Sequence, residues 1–215
     1  MVKGVIKKIP LILLGIFLTG GVNGQVESDT YSYPVNSNRL QSVARGGGSR
    51  ALGYDDAGNV ISDNLDGSLY AYSYNAANRM SGFAVAGQPE AEYLYNALGQ
   101  QVIRRLLPEG KTLHVIHDIH GNRLAEYEFD PVTRNRTLLR EYIWLEGMPV
   151  AVVENDQIYF IRTDHIGRPV FATDNTGTKI WEASYLPFGG MHVSTGANIN
   201  LRFPGQWFQA ETELH

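Results

Sequence analysis

The stretch from Tyr95 to Val102 reads YNALGQQV, and it repeats the pattern of Tyr54 to Val60, which reads YDDAGNV. In both stretches a tyrosine is followed by Asp or Asn, two variable residues and a glycine. Looser copies begin at Tyr33, Tyr74 and His117, so the reference positions 33, 54, 74, 95 and 117 are 20 to 22 residues apart. A fixed period of this size is typical of a repeat architecture.

The physical chemistry of the repeat predicts one β-hairpin per unit. Asp or Asn after the tyrosine closes an Asx turn, and the glycine (or Asn78) supplies the positive φ that a tight turn needs. Two short strands and two turns use about 20 residues, and no sustained helical pattern of apolar residues occurs after residue 25. We therefore predict an all-β fold, in which consecutive hairpins form a curled, spiralling antiparallel sheet. The residues expected to build the repeat are Tyr33, Tyr54, Asp55, Gly58, Tyr74, Asn75, Arg79, Tyr95, Asn96, Gly99, Asp118, Gly121 and Arg123.

Tyrosines also recur two residues apart, which places them on one face of a strand as an aromatic ladder. These groups are Tyr31/Tyr33, Tyr70/Tyr72/Tyr74 and Tyr93/Tyr95. The ladders have two interpretations: cross-strand pairs that stabilise the sheet, or an exposed platform for carbohydrate or peptide. Repetition at successive hairpins favours the structural interpretation. Arg79, Arg123 and Arg168, each just after a turn, are expected to lie over these rings or to pair with turn carboxylates.

Composition excludes several classes of function. The chain has 215 residues, 18 Lys+Arg and 22 Asp+Glu, for a net charge of −4. Such an acidic domain lacks the basic surface that attracts nucleic acid. There is no cysteine, which excludes disulfides, cysteine-based zinc sites and thiol catalysis.

Residues 1–24 resemble a signal peptide. Three lysines precede an apolar run from Ile9 to Leu18, and small residues precede a cut at Gln25. The alternative is a retained membrane anchor, but the apolar run breaks at Gly20 before reaching the length of about 20 residues that a spanning helix needs. We therefore predict an exported chain, secreted or associated with the cell envelope, with no membrane segment after cleavage.

The second half keeps the hairpin rhythm with looser spacing. The run from Tyr142 to Val153 is interrupted by Glu146 and Gly147, which predicts a hairpin, and residues 157–162 predict the next strand. Further turn signals occur at 164–167, 174–177 and 187–190.

These residues resemble the RHS/YD-repeat family, which includes bacterial rearrangement-hotspot proteins, Tc-toxin cocoon subunits and teneurins. The tyrosine–aspartate turns are similar to its repeat, and three later blocks are similar to its repeat-associated core domain. The residues that carry this second resemblance are Asp164, His165, Gly167, Arg168, Trp181, Tyr185, Pro187, Phe188, Gly189, Arg202, Phe203, Gly205, Gln206, Glu211 and Thr212. After the signal peptide predicted at 1–24, the resemblance implies YD repeats at 25–130 and the start of the core domain at 131–215.

The chain departs from the family pattern in its last block. Glu213 replaces a glycine, and Gln209 stands where an aspartate commonly follows the aromatic pair. In bacterial members, a later segment with an aspartate–proline motif resembles an aspartic-protease site that releases a C-terminal toxin, and the present sequence does not contain it. We therefore expect a chain truncated relative to the family, with no catalytic residue, cofactor or metal ligand.

Other candidate sites have simpler interpretations. His114, His117, His120 and Asp118 cluster in sequence, but His114 and His117 would point to opposite faces of a strand, so we expect no metal site. Asp164-His165 lacks a partner nucleophile motif, and we interpret it as a turn. We interpret Asp63 and Asp66-Gly67 as a hairpin turn rather than a calcium loop, and residues 45–49 as a long flexible turn.

The leading hypothesis is a non-enzymatic, exported β-scaffold, a fragment of an RHS-type shell. The resemblance implies that its partners are the rest of the shell and a toxin cargo. A second hypothesis is a surface adhesion or glycan-binding module, and a third, disfavoured one is a self-processing aspartic protease. Because an open strip of hairpins exposes an unpaired edge, we also expect the isolated chain to aggregate or to need a partner.

Overall fold

The structure, a computed structural model, describes residues 29–185, 200–202 and 207–212, together with the backbone of residues 191–196. The described residues form sixteen β-strands and no helix, so none of them contributes a helix that could cross a membrane. The strands are β1 Thr30–Ser32, β2 Ser42–Arg45, β3 Gly48–Tyr54, β4 Val60–Leu65, β5 Ser68–Tyr74, β6 Met80–Val85, β7 Gln88–Tyr95, β8 Gln101–Leu106, β9 Lys111–His117, β10 Arg123–Phe129, β11 Arg136–Leu145, β12 Met148–Glu154, β13 Gln157–Thr163, β14 Pro169–Thr173, β15 Lys179–Tyr185 and β16 Met191–Gly196.

The chain divides into two compact units. The first runs to Met80 and includes Ala84–Gln88, and the second consists of Ser81–Phe83 and the residues from Pro89 onward. In the first unit β1 to β5 pair antiparallel in chain order, and in the second unit β7 to β16 do the same. The predicted all-β architecture of consecutive antiparallel hairpins is therefore confirmed.

Two kinds of turn recur between the strands. Five-residue turns lie at 55–59, 75–79, 96–100, 118–122, 164–168 and 174–178. Two-residue turns with positive φ at both positions lie at 66–67, 86–87, 146–147 and 155–156. The second kind matches the right-handed twist of the flanking strands.

The core of the second unit lies on one face of its sheet. Tyr142, Val152, Ile161, Ala172, Trp181, Ala183 and Leu201 form one buried cluster. Trp181 is 1% exposed and Ala172 is fully buried, so these neighbouring strands present a continuous apolar surface. Leu201 comes from outside the sheet and covers it.

The predicted limits of 25–130 for the repeats and 131–215 for the core domain remain a prediction. In the structure, β10 and β11 lie on either side of residue 130 and pair with each other within the second unit.

Three sequence interpretations were wrong. Residues 45–49 are a tight connection rather than a long flexible turn, because Arg45 already pairs with Gly48. Asp63 lies in β4 and not in a turn; it is 3% exposed and forms an ion pair with Arg50. Tyr31 and Tyr33 do not form a strand ladder, since β1 ends at residue 32.

Candidate functional site

The five-residue turns share one hydrogen-bond pattern, which the first of them illustrates. The Asp55 N–H donates to the Asn59 carbonyl (3.0 Å), the Gly58 N–H donates to the Asp55 carbonyl (3.1 Å), and Asp55 Oδ1 accepts from the Asn59 N–H (2.8 Å). The first residues of the other turns, Asn75, Asn96, Asp118, Asp164 and Asp174, accept the corresponding bond through Oδ1. The glycines at 58, 99, 121, 167 and 177 and Asn78 have φ between 55 and 94°. The side-chain carboxylate or amide therefore closes each turn.

These bonds lower the pKa of the turn carboxyls. The Asn59 side chain, which donates to Asp55 at 2.8 Å, holds the pKa of Asp55 below its usual value. At Asp118 and Asp164, burial raises the pKa, but hydrogen bonds from Asn122 and from Arg168 outweigh it and leave a lowered pKa. The turns are thus closed most firmly when these groups are ionised.

Three tyrosines at the ends of strands bind a carbonyl at or just before the start of the paired neighbouring strand. Tyr54 donates its hydroxyl to the Leu40 carbonyl (2.7 Å), and Tyr74 donates to the Val60 carbonyl (3.0 Å). Tyr185 donates in the same way to the Pro169 carbonyl at 2.7 Å. The acceptor lies 14 to 16 residues before the donor, so each hydroxyl bonds across two strands that are also paired by the backbone ladder. The spacing of the tyrosines did not reveal this role, because the acceptor is a backbone carbonyl that any residue can supply.

Trp144 takes the place of tyrosine in one looser hairpin. Its Nε1 donates to the Arg123 carbonyl at 2.8 Å, and Arg123 is the first residue after the 118–122 turn. This bond between paired strands therefore depends on an aromatic side chain with one donor, rather than on tyrosine alone.

Neighbouring turns also bond to each other. The Arg39 guanidinium donates to the Asp55 carbonyl at 3.0 Å and lies 5.7 Å from the centre of the Tyr54 ring. In the second unit, Gln100 Nε2 donates to the Asp118 carbonyl at 3.1 Å. These contacts join successive turns along one end of the strands.

The arginines after the turns have different environments. Arg168 bonds to Asp164 (2.9 Å) and lies 4.3 Å from the Tyr185 ring centre, and burial raises the pKa of Tyr185 to about 12. Arg79 donates its backbone N–H to Asn75 at 3.1 Å. Arg123 is buried and pairs with a strand residue instead of a turn residue.

That pair belongs to a buried polar cluster. Arg123 Nη1 lies 2.5 Å from Glu126 Oε1. Arg140 Nε lies 3.8 Å from Glu126 Oε2, and Arg140 Nη2 lies 2.8 Å from Glu154 Oε1. Burial raises the pKa of Tyr142 in this cluster, and the charge of Glu126 raises it further. Removing one partner from this cluster would leave a buried charge unpaired, which costs free energy.

The segment 207–212 lies on the same sheet. Glu211 Oε1 accepts a hydrogen bond from the Tyr93 hydroxyl (3.0 Å) and lies 3.7 Å from Arg104. Thr212 is 7% exposed, and Arg202 is 6% exposed and lies 3.3 Å from the ring centre of Phe208. Of the core-domain residues, Pro187, Phe188, Gly189, Phe203, Gly205 and Gln206 lie outside the described residues.

The remaining residues that the sequence singled out as candidates do not come together in one site. Tyr33 is 50% exposed, whereas Tyr95 is half-buried. His165 is exposed and lines a shallow groove of about 350 Å³ beside Trp144 and Met148. The described part of the chain contains no group of three His, Cys, Asp or Glu side chains that could hold a metal ion.

His114 and His117 lie at odd separation on β9 and so face opposite sides of the sheet. His114 packs on Phe129, with ring centres 5.0 Å apart. Burial lowers the pKa of both histidines, and a nearby arginine lowers each further. Both histidine side chains thus lie in the environment of residues that pack in a sheet.

The chain is similar in sequence to a known family and to two toxins. Residues 133–214 match the family model described as teneurin YD-shell. The chain is 24% identical over 216 aligned positions to toxin protein Tse5 of Pseudomonas aeruginosa, covering 83% of the chain and 16% of that protein. It is 22% identical over 192 positions to double-stranded DNA deaminase toxin A of Burkholderia cenocepacia, covering 75% of the chain and 14% of that protein.

A solved structure, the TcdB2-TccC3-Cdc42 complex, covers 86% of the chain with 11% identity and a TM-score of 0.38, over 16% of that structure's chain. The chain thus spans about a sixth of the length of the relatives it matches. The resemblance to RHS/YD-repeat proteins is confirmed.

Proposed function

We propose that this YD-repeat chain is a non-enzymatic, exported β-scaffold that forms part of an RHS-type shell. Together with the rest of that shell it encloses and delivers a C-terminal toxin, in competition between cells or against a host. The observation that carries the proposal is a recurring bond between paired strands, in which Tyr54, Tyr74 and Tyr185 at strand ends each bind a carbonyl at or just before the start of the neighbouring strand.

A shell wall needs bonds of this kind. Each strand must hold its neighbour at a fixed register without a second sheet at every point along the wall, and repeat proteins gain stability from such neighbour contacts. Turn-to-turn bonds such as Gln100 to Asp118 add a second connection at the strand ends. Both described relatives are named as toxins, and the chain matches about a sixth of each. In a protein of that plan, the toxic activity belongs to chain beyond the matched part.

A non-enzymatic role agrees with how the buried charges are arranged. Asp63 is bonded to Arg50, and Glu126 is bonded to Arg123. A carboxylate held in this way is a stabilising element rather than an acid or base free to act on a substrate.

The test is to purify the chain from cells that express its complete gene. We expect co-purification with further YD-repeat chain and a toxin domain, protection of that domain from added protease, and an N-terminus at Gln25. Incubation of the purified protein should leave residues 25–215 uncut. A monodisperse monomer with a sharp melting transition and no associated chain would contradict the shell proposal.

A further inference from the structure

His117 takes the position that tyrosine has in other repeats. Tyr54 and Tyr74 are the last residues of β3 and β5, directly before a five-residue turn, and His117 is likewise the last residue of β9, before the turn at 118–122. A tyrosine hydroxyl titrates at pH ~10 and stays neutral in acid, whereas an unperturbed imidazole gains a proton at pH ~6.5. Of these three strand ends, that of β9 alone carries a side chain that changes charge in mild acid.

The imidazole lies opposite a buried arginine on the β9–β10 ladder. His117 and Arg123 are direct partners in the register, and Arg123 is 7% exposed. The Arg123 guanidinium lies 3.8 Å from the centre of the Trp207 ring, and the Arg123 carbonyl accepts the hydrogen bond from Trp144 Nε1. Arg123 thus connects this end of the hairpin both to β11 and to Trp207.

The carboxylates near His117 are already bonded to other groups. Glu126, on β10, pairs with Arg123. Asp118 closes its own turn, where it accepts hydrogen bonds from the backbone and the side chain of Asn122 at 2.9 and 2.8 Å. A charged imidazole would share these acceptors with groups that already use them, and it would lie beside the Arg123 guanidinium.

The remaining titratable groups near this end of β9 are paired with each other, exposed or on the other face. Arg104 of β8 pairs with Glu211 at 3.7 Å, and His120 in the turn is exposed. His114 lies on the opposite face of β9. None of these described groups supplies a counter-ion for a charged His117.

The surroundings of His117 favour the neutral ring. Its Nδ1 is buried and, among the described residues, has no hydrogen-bond partner. Protonation puts an N–H on both ring nitrogens, so the charged form buries a donor without an acceptor. Burial is the main cause of the lowered pKa of His117, and the charge of Arg123 lowers this pKa further, against the opposing effect of the two nearby carboxylates.

We propose that His117 makes the β9–β10 hairpin acid-sensitive. Protonation of the imidazole in mild acid places a second cation beside Arg123 and loosens the hairpin, together with the packing of Trp207 on that guanidinium. A neutral histidine of this kind stabilises the fold above the unfolded pKa of ~6.5, and the contribution is lost as the pH falls from there through the folded pKa. The inference is independent of the shell proposal, since it concerns the stability of the second unit and not the assembly.

The test compares the urea midpoint of the full chain at about pH 7.5 and about pH 5.5, followed by tryptophan fluorescence at submicromolar concentration and constant ionic strength. We expect a lower midpoint at the acid pH. His117→Tyr, which introduces the residue of the other repeats, should remove at least about a third of that decrease. His120→Gln is the matched control, because it removes an exposed histidine of the adjoining turn and should leave the decrease unchanged.

An equal decrease in the two variants would overturn the proposal, as would a midpoint of the unmodified chain that does not fall between the two pH values. His117→Gln serves as a second variant with the same expected outcome, since it removes the titrating ring without adding a larger side chain.

A nuclear magnetic resonance titration of the unmodified chain gives a second measurement if the variants fail to fold. The imidazole signal of His117, assigned through its backbone amide, should titrate at a lower pH in the folded chain than in the same chain unfolded in urea. Titration at or above the unfolded value would refute the proposal.

Discussion

Tyr54, Tyr74 and Tyr185 each contribute a ring to the sheet and a hydroxyl that bonds to the neighbouring strand. We expect Tyr54→Phe and Tyr185→Phe each to lower the free energy of unfolding by ~1 kcal/mol, because each removes one hydrogen bond to a backbone carbonyl and keeps the ring. Urea denaturation of the purified chain measures the change.

The matched control is Tyr33→Phe, at a position that is 50% exposed and outside any strand. That substitution should change the free energy of unfolding by less than ~0.5 kcal/mol. If Tyr54→Phe were as neutral as the control, the hydroxyl bond would not contribute to the stability of the paired strands.

The turn aspartates predict loss of stability in acid. Asp55, Asp118 and Asp164 have a lowered pKa in the folded chain, whereas an unfolded Asp titrates near ~3.9. A folded pKa below the unfolded one stabilises the fold above about pH 4, and this contribution is lost as the pH falls toward the folded pKa. Urea midpoints measured from pH 6 to pH 2 should therefore decrease.

The triple variant Asp55→Asn, Asp118→Asn, Asp164→Asn tests the cause of that decrease. Asn75 and Asn96 already close two turns with an amide oxygen, so asparagine suits the site. The variant should keep its turns and show a flatter dependence on pH. An unchanged slope would assign the acid sensitivity to other carboxylates.

At the scale of the hairpin, the two-residue turns depend on positive φ. Gly147 has φ of 77°, and a Cβ added there would meet no atom within 4 Å. Gly147→Ala therefore changes backbone strain alone, and we expect it to lower the free energy of unfolding by ~1–2 kcal/mol. Thermal and urea unfolding both report this change.

Gly47→Ala is the matched control in the two-residue turn between β2 and β3. Its Cβ would also meet no atom within 4 Å, but Gly47 is not among the glycines with positive φ. Alanine there should be neutral or stabilising by up to ~1 kcal/mol, since it restricts the unfolded chain. A loss at Gly47 equal to that at Gly147 would contradict the assignment to backbone strain.

Local sequence was sufficient to predict the five-residue turns and the all-β hairpin order. Asp or Asn at the first position and glycine at the fourth specify the turn through bonds within five residues, so no distant partner is needed. The interpretation of Asp63 as a turn residue was wrong because the nearby pair Asp66-Gly67 carries the turn signal. Asp63 itself is buried in β4, where it pairs with Arg50 of the neighbouring strand β3. That pairing depends on register, which spacing alone does not show.

At the scale of the whole molecule, the contacts of the C-terminal segment could not be predicted from the repeat. Glu211 and Tyr93 are 118 residues apart, and Gln209 and Gln101 are 108 apart. The family resemblance identified Glu211 as part of a conserved block but gave it no partner. A side chain that binds across several strands has no periodic signal, because its partners follow from the order of the strands and not from the neighbouring sequence.

The edge of the first unit predicts how the isolated chain behaves. Among the strands that the structure describes, β1 is the first of its sheet, and its residues are exposed, with Tyr31 40% exposed. An exposed edge presents backbone groups to another chain, and natural proteins limit this with charged side chains, lysine above all. We therefore expect the chain from Gln25 to associate at micromolar concentration, and Tyr31→Lys to reduce that association. Light scattering during a concentration series measures both.

Tyr33→Lys provides the control, because it removes a tyrosine just after the end of β1 that is 50% exposed, close to the 40% of Tyr31. Both variants gain one positive charge and lose one ring, so a difference between them reports pairing at the strand rather than general solubility. If the two variants reduce scattering equally, surface charge explains the effect. If neither the chain nor its variants associate, the edge is already covered, and the expectation that this scaffold needs a partner is wrong.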